Sequence, residues 1–138
     1  MHDIKFIRNN PEKFEKQMYR RGLNIEISLI LEIDKVIRKK QSEIQVIQEQ
    51  RNNISKQIGK LISESKDVSE LKNKISNFKS ELTTIDQEIK KYSSELNDIL
   101  KVLPNSLDDD VPDGENENEN KLIKEWGTKP KFSFEPLD

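Results

Sequence analysis

At 138 residues, 32% hydrophobic and 36% charged, with a net charge of −2, the chain has material for one domain but not for a thick globular core. It has no cysteine, which excludes a disulfide framework and a thiolate metal site and makes the reducing cytoplasm the default compartment. No apolar run approaches the roughly 20 residues that cross a bilayer, and residues 1–20 lack the apolar centre of a signal peptide. A soluble, cytoplasmic chain with no membrane partner is therefore expected.

In chain order, Asp3 is placed to cap a short helix through Ile4, Phe6 and Ile7. Asn10 followed by Pro11 marks a second start, because proline suits the first helical turn. Phe14 and Met18 then share a face, and Gly22 ends the helix after Arg20 and Arg21. Residues 1–27 form a small helical base. His2, the single histidine, has no ligand cluster near it in sequence and is expected to be an ordinary exposed side chain.

The strongest pattern follows. Val68, Leu71, Ile75, Phe78, Leu82, Ile85, Ile89, Tyr92, Leu96, Ile99 and Leu103 alternate spacings of three and four, the a/d signature of a coiled-coil helix. A matching stripe runs through Ile30, Ile33, Ile37, Ile44, Ile47, Ile54, Ile58 and Leu61, interrupted only by Lys40 and Arg51. A polar turn at about 62–67 joins the two, with Asp67 and Glu70 as a capping pair for the return helix. Residues 28–103 are thus predicted to be an antiparallel hairpin of roughly 50 Å. One register fits its layers: Ile30 faces Ile99, Ile37 faces Tyr92, Lys40 faces Ile89, Arg51 faces Phe78 and Ile54 faces Ile75. At such seam positions a long cation lays its methylenes along the partner, and Arg51 is placed to stack on the Phe78 ring.

Pro104 stops the return helix, and residues 104–138 are acidic, with ten acidic and four basic residues. The stretch through Asn120 reads as an irregular linker, Lys121 to Trp126 as a short strand, and Phe132 with Phe134 as a second extended piece. The fold class is therefore all-α: a long antiparallel two-helix coiled-coil hairpin, a small N-terminal helical base and a short extended C-terminal tail. There is no glycine-rich phosphate loop, no HExxH and no nucleophile with a base, and Asp108, Asp109 and Asp110 form a solvated turn. No catalytic residue, metal site or cofactor is expected within this chain.

What remains is a rod with cations outside its seam: Lys35, Arg38, Lys39, Lys56 and Lys60 on the first helix, and Lys72 and Lys79 seven apart on the second. Lysines and arginines bind phosphates without reading bases, so one reading of such an arm is that it would recognise the shape and backbone of an RNA. Composition alone favours plain solubilising charges paired with nearby carboxylates.

Several motifs in fixed order change that balance. The opening His2–Glu12 (HDIKFIRNNPE), Arg20-Arg21-Gly22, the Arg51–Gly59 stretch (RNNISKQIG), Leu103-Pro104-Asn105, Val111-Pro112-Asp113-Gly114, Trp126-Gly127 and Phe132–Pro136 (FSFEP) resemble the N-terminal region of bacterial seryl-tRNA synthetases. The resemblance covers essentially the whole chain. It implies an arm that clamps tRNA(Ser) by its long variable arm and elbow, with tRNA(Sec) as a second candidate and no DNA partner. It also implies a homodimeric class II enzyme that attaches serine using ATP and Mg²⁺ in a catalytic domain lying beyond residue 138. The residues expected to touch RNA are Arg38, Lys39, Arg51, Asn52, Lys56 and Lys60, with Lys72 and Lys79 behind them. The alternative is a structural hairpin that binds another protein.

Overall fold

The computed structural model of the chain describes residues 2–114, 116–128 and 130–135. Among these, the α-helices are α1 (Ile4–Asn9), α2 (Pro11–Tyr19), α3 (Ile27–Ser63) and α4 (Ser69–Val102), and a 3-10 turn spans Glu117–Glu119. Contacts divide them into two units, one ending at Ser106 and one starting at Leu107.

In the first unit each helix begins and ends for a local reason. Asp3 Oδ1 accepts the Lys5 N–H at 2.8 Å and so caps α1. Asn10 precedes α2 but serves α1, donating its side-chain amide to the Phe6 carbonyl at 3.3 Å. Pro11, which has no N–H to satisfy, opens α2. Gly22 ends it at φ 73°, while the Leu23 N–H reaches back to the Met18 carbonyl at 3.1 Å and the Gly22 N–H to Tyr19 at 2.9 Å.

At the far end of α3 the same device recurs without a glycine. Lys66 N–H bonds to the Leu61 carbonyl and Ser65 N–H to Ile62, each at 3.0 Å. Ser65 is left-handed at φ 55°, a conformation that strains an L-residue. Asp67 then accepts both the N–H (2.9 Å) and the hydroxyl (2.6 Å) of Ser69. The Ser69 hydroxyl, with its backbone N–H, holds the Asp67 carboxyl below its ordinary value. The turn lies within a residue or two of the expected 62–67.

α3 (37 residues) and α4 (34 residues) pack against each other as the predicted hairpin. Lys40 donates to Glu88 at 2.6 Å, next to the Ile89 that the register sets opposite it. Arg51, by contrast, is exposed, and among the described residues no cation lies over the Phe78 ring. Water solvates the guanidinium better than a half-buried ring does at this thin part of the seam.

Burial tapers along the arm. At the root Ile7, Phe14 and Met18 are fully enclosed and join Ile27, Ile30, Ile33, Ile37, Leu96 and Leu100 in one cluster. Leu100 lies off the a/d stripe; it is buried because this cluster surrounds it. From residue 48 to residue 84 no side chain is buried, and Ile54, Ile58, Leu71, Ile75 and Phe78 are half-covered. Two helices alone offer one contact face each; a third layer is needed to close a core.

Two contacts at the root correct the sequence reading. His2 is not an ordinary exposed side chain: its Nε2 lies 3.0 Å from the Pro104 carbonyl, and its ring meets Phe14 edge-on at 5.0 Å. The second is a buried charge. Asp34, 4% exposed, accepts two bonds from Arg8, Nε to Oδ2 and Nη2 to Oδ1, both at 2.8 Å. Arg38 Nε adds a third at 3.0 Å. Burial pushes the Asp34 carboxyl upward, but the hydrogen bonds and charges of Arg8 and Arg38 outweigh it and hold the carboxyl below its ordinary value.

In the second unit the expected strands are absent among the described residues. Leu122, Ile123 and Trp126 are 76%, 90% and 91% exposed, so the stretch has neither the paired ladder nor the covered face that stabilises a strand. Lys124 sits 5.8 Å over Trp126, and the Phe132 and Phe134 rings touch at 5.2 Å. The closing FSFEP motif ends at Pro136, outside the described residues.

Because the folded Asp34 carboxyl titrates below its ordinary 3.8, its contribution to stability is complete above that pH and lost as the pH falls further. Asp34→Asn should therefore unfold at lower urea than the parent at pH 7, and the gap should narrow as the pH drops below about 3.8. Urea titrations followed by circular dichroism across that range measure it.

Candidate nucleic-acid interface

Side chains on a helix repeat every 3.6 residues, so Asn52, Lys56 and Lys60, at i, i+4 and i+8 on α3, form one stripe about 12 Å long. Lys72 and Lys79, two turns apart, form another on α4. Lys39 lies apart from these, lining a groove between the helices with Glu43, Val46, Ile47 and Ile85. Arg51 is exposed at the seam edge. The structure therefore does not gather the eight expected residues into one patch. It distributes them along the arm, six of them in its distal half.

Arg38 is the exception in kind. Its Nε is engaged by Asp34, and its side chain is 48% exposed, so it belongs first to the root and has only its outer nitrogens to offer a phosphate. Lys39, Arg51, Lys56, Lys60, Lys72 and Lys79 make no ion pair among the described residues; Lys40, Lys66 and Lys101 do. Close ion pairing is therefore not seen at these six cations among the described residues, although Lys72 lies near enough to Asp67 to help hold that carboxyl low.

The reason is a segregation of charge that a count over long segments conceals. Between Glu49 and Glu64 on α3, and between Glu70 and Glu81 on α4, there is no acidic residue. The two stretches face each other in the hairpin and contribute Arg51, Lys56, Lys60, Lys72, Lys74 and Lys79. Lys74, absent from the sequence-based set, lines a groove with Asn53, Asn77 and Phe78. Counting acids over one helical turn at a time, on both helices, reveals this block and Lys74 with it. A helical stretch with a local excess of cations attracts polyanions and holds them by counterion release. Among the described residues no group of three or more His, Cys, Asp or Glu could hold a metal, and no helix is long and apolar enough to cross a membrane.

The family model for the seryl-tRNA synthetase N-terminal domain matches residues 1–107. The chain belongs to the seryl-tRNA synthetase family. It is 38% identical over 138 residues to the serine–tRNA ligase of Paramagnetospirillum magneticum and 37% identical over 140 residues to that of Bartonella tribocorum, covering 100% of this chain and 33% of each relative. Among solved structures, the seryl-tRNA synthetase of Pyrococcus horikoshii complexed with ATP superposes with a TM-score of 0.79 at 32% identity, over 92% of this chain and 29% of that one. The chain thus spans about a third of the length of the relatives it matches, their N-terminal part.

Gly59 lies inside α3 between Lys56 and Lys60, and a Cβ there would meet nothing within 4 Å. Glycine in a helix interior costs about 0.5–1 kcal/mol relative to alanine. Gly59→Ala should accordingly raise stability by an amount of that order, read as a higher urea midpoint with an unchanged slope.

Proposed function

We propose that this chain is the tRNA-binding arm of a serine–tRNA ligase, holding tRNA(Ser) by its long variable arm and elbow, with tRNA(Sec) as a second ligand. The observation that carries this reading is the pair of acid-free stretches between Glu49 and Glu64 and between Glu70 and Glu81, whose cations make no ion pair among the described residues, in a chain that belongs to this family. Phosphates spaced along an RNA backbone are the natural partners of lysines spaced along a rod. Contacts of that kind register outline and carry no base sequence, which suits a tRNA class distinguished by an extra helical arm.

In this reading Asn52, Lys56 and Lys60 meet one strand of phosphates, and Lys72 and Lys79 meet a second from the other helix. Lys39 and Arg51 extend the contact towards the root. Arg38 acts mainly through Asp34, by fixing where α3 leaves the base. The full-length enzyme works as a cytoplasmic homodimer, and its catalytic portion uses ATP and Mg²⁺ to attach serine. In this reading the chain's own task is to bind and position the tRNA.

Titration with a long-variable-arm tRNA transcript and with a short-arm tRNA tests the reading. The long-arm transcript should bind more tightly, with a log affinity that falls linearly with log salt. Lys56→Ala and Lys60→Ala should each reduce that slope by roughly one phosphate's worth. Equal or absent binding of the two tRNAs would favour a hairpin that docks a protein instead.

A further inference from the structure

A groove of about 490 Å³ opens between α3 and α4 in the distal half of the arm, lined by Gln50, Asn53, Ile54, Lys74, Asn77, Phe78 and Glu81. Its floor is apolar, made of half-buried Ile54 and Phe78, and its rim carries three primary amides that are all exposed. No protein group hydrogen-bonds to the Gln50, Asn53 or Asn77 side chains among the described residues. Lys74 at its edge makes no ion pair there either. Phosphate contacts account for the lysines of the arm but not for an aromatic floor ringed by amides.

We propose that this groove receives one unpaired nucleobase of the RNA held by the arm, a step that rests on the tRNA-binding reading above. A base brings a flat apolar face and an edge of mixed donors and acceptors. Phe78 and Ile54 supply a surface for the face. A carboxamide presents one acceptor and two donors, the combination that pairs with a base edge. Lys74 is placed for the phosphate attached to that base, and Glu81 closes the other end of the groove, where it can accept from an exocyclic amine. An arm of this kind detects outline through its lysines and, at one point, an unstacked nucleotide.

The test uses the whole chain and a long-variable-arm tRNA transcript. Phe78→Leu keeps an apolar side chain in the seam and removes the aromatic face. It should weaken binding about tenfold with no change in salt slope, and a thermal melt checks that the helices persist. Asn77→Ala, at an exposed position, should weaken binding in the same sense, and Lys74→Gln should lower the slope by about one. In ¹⁵N spectra the Asn53 and Asn77 side-chain amides should shift on addition of the transcript. Unchanged affinity in Phe78→Leu and Asn77→Ala, with the Lys56 and Lys60 effects intact, would overturn the base site and leave the tRNA-binding reading standing. Loss of all binding by the parent chain would remove both. Amide shifts that depend on protein concentration without RNA would assign the groove to a second copy of the chain.

Discussion

A carboxylate stripped of water has to be matched by cations, and at the root of this arm Asp34 is matched by two. Arg8 reaches it from α1 with a bidentate pair, and Arg38 reaches it from one turn further along α3. Removing either arginine leaves a buried charge short of partners, a far larger penalty than losing an exposed pair. The arrangement ties the N-terminal base to the long helix at one point and in one orientation. The enclosed cluster of Ile7, Phe14, Met18, Ile30 and Leu100 supplies the burial beneath it, and His2 closes the other side on Pro104.

Everything distal to that root depends on it, because the arm has no core of its own. Two helices in contact cover each other along one face, and the side chains there are half-covered from residue 48 to residue 84. This thinness has a use. A seam that occupies little of each helix leaves most of the circumference open, and two stretches of the distal half, 50–63 and 71–80, fill it with cations and amides and no carboxylate. Enclosed packing is concentrated at one end and exposed cations at the other, so the rigid root and the open surface are separated along the arm.

The sequence made some of this legible and not the rest, for physical reasons. A period of three and four over eleven positions is a strong local code, so the hairpin, its turn and its helix boundaries could be read within a residue or two. The caps at Asp3 and Gly22 are local as well. Asp34 was not legible, because its partner Arg8 lies 26 residues upstream and helical periodicity says nothing about such a contact. The only sequence hint was the i,i+4 spacing to Arg38. The role of His2 is hidden from the sequence for the same reason, its partner being 102 residues away. In the C-terminal unit the alternation at Lys121–Trp126 suggested a strand, but alternation describes a face, and a strand also needs a neighbour to pair with. At the interface, the cations were visible one by one. Their lack of carboxylate partners emerged only once two stretches separate in sequence were set side by side.

The taper from enclosed root to open tip makes the arm a lever. A helix of 37 residues is about 55 Å long, so one degree of tilt at the base carries the tip through roughly 1 Å, a third of the length of a hydrogen bond. The aim of Lys56 and Lys60 is thus set roughly 30–40 Å away, by the geometry of one carboxylate and two guanidinium groups. Small changes in side-chain fit at Arg8 or Asp34 are magnified into displacements large enough to miss a phosphate. The residues with most leverage over what the tip touches are those furthest from it.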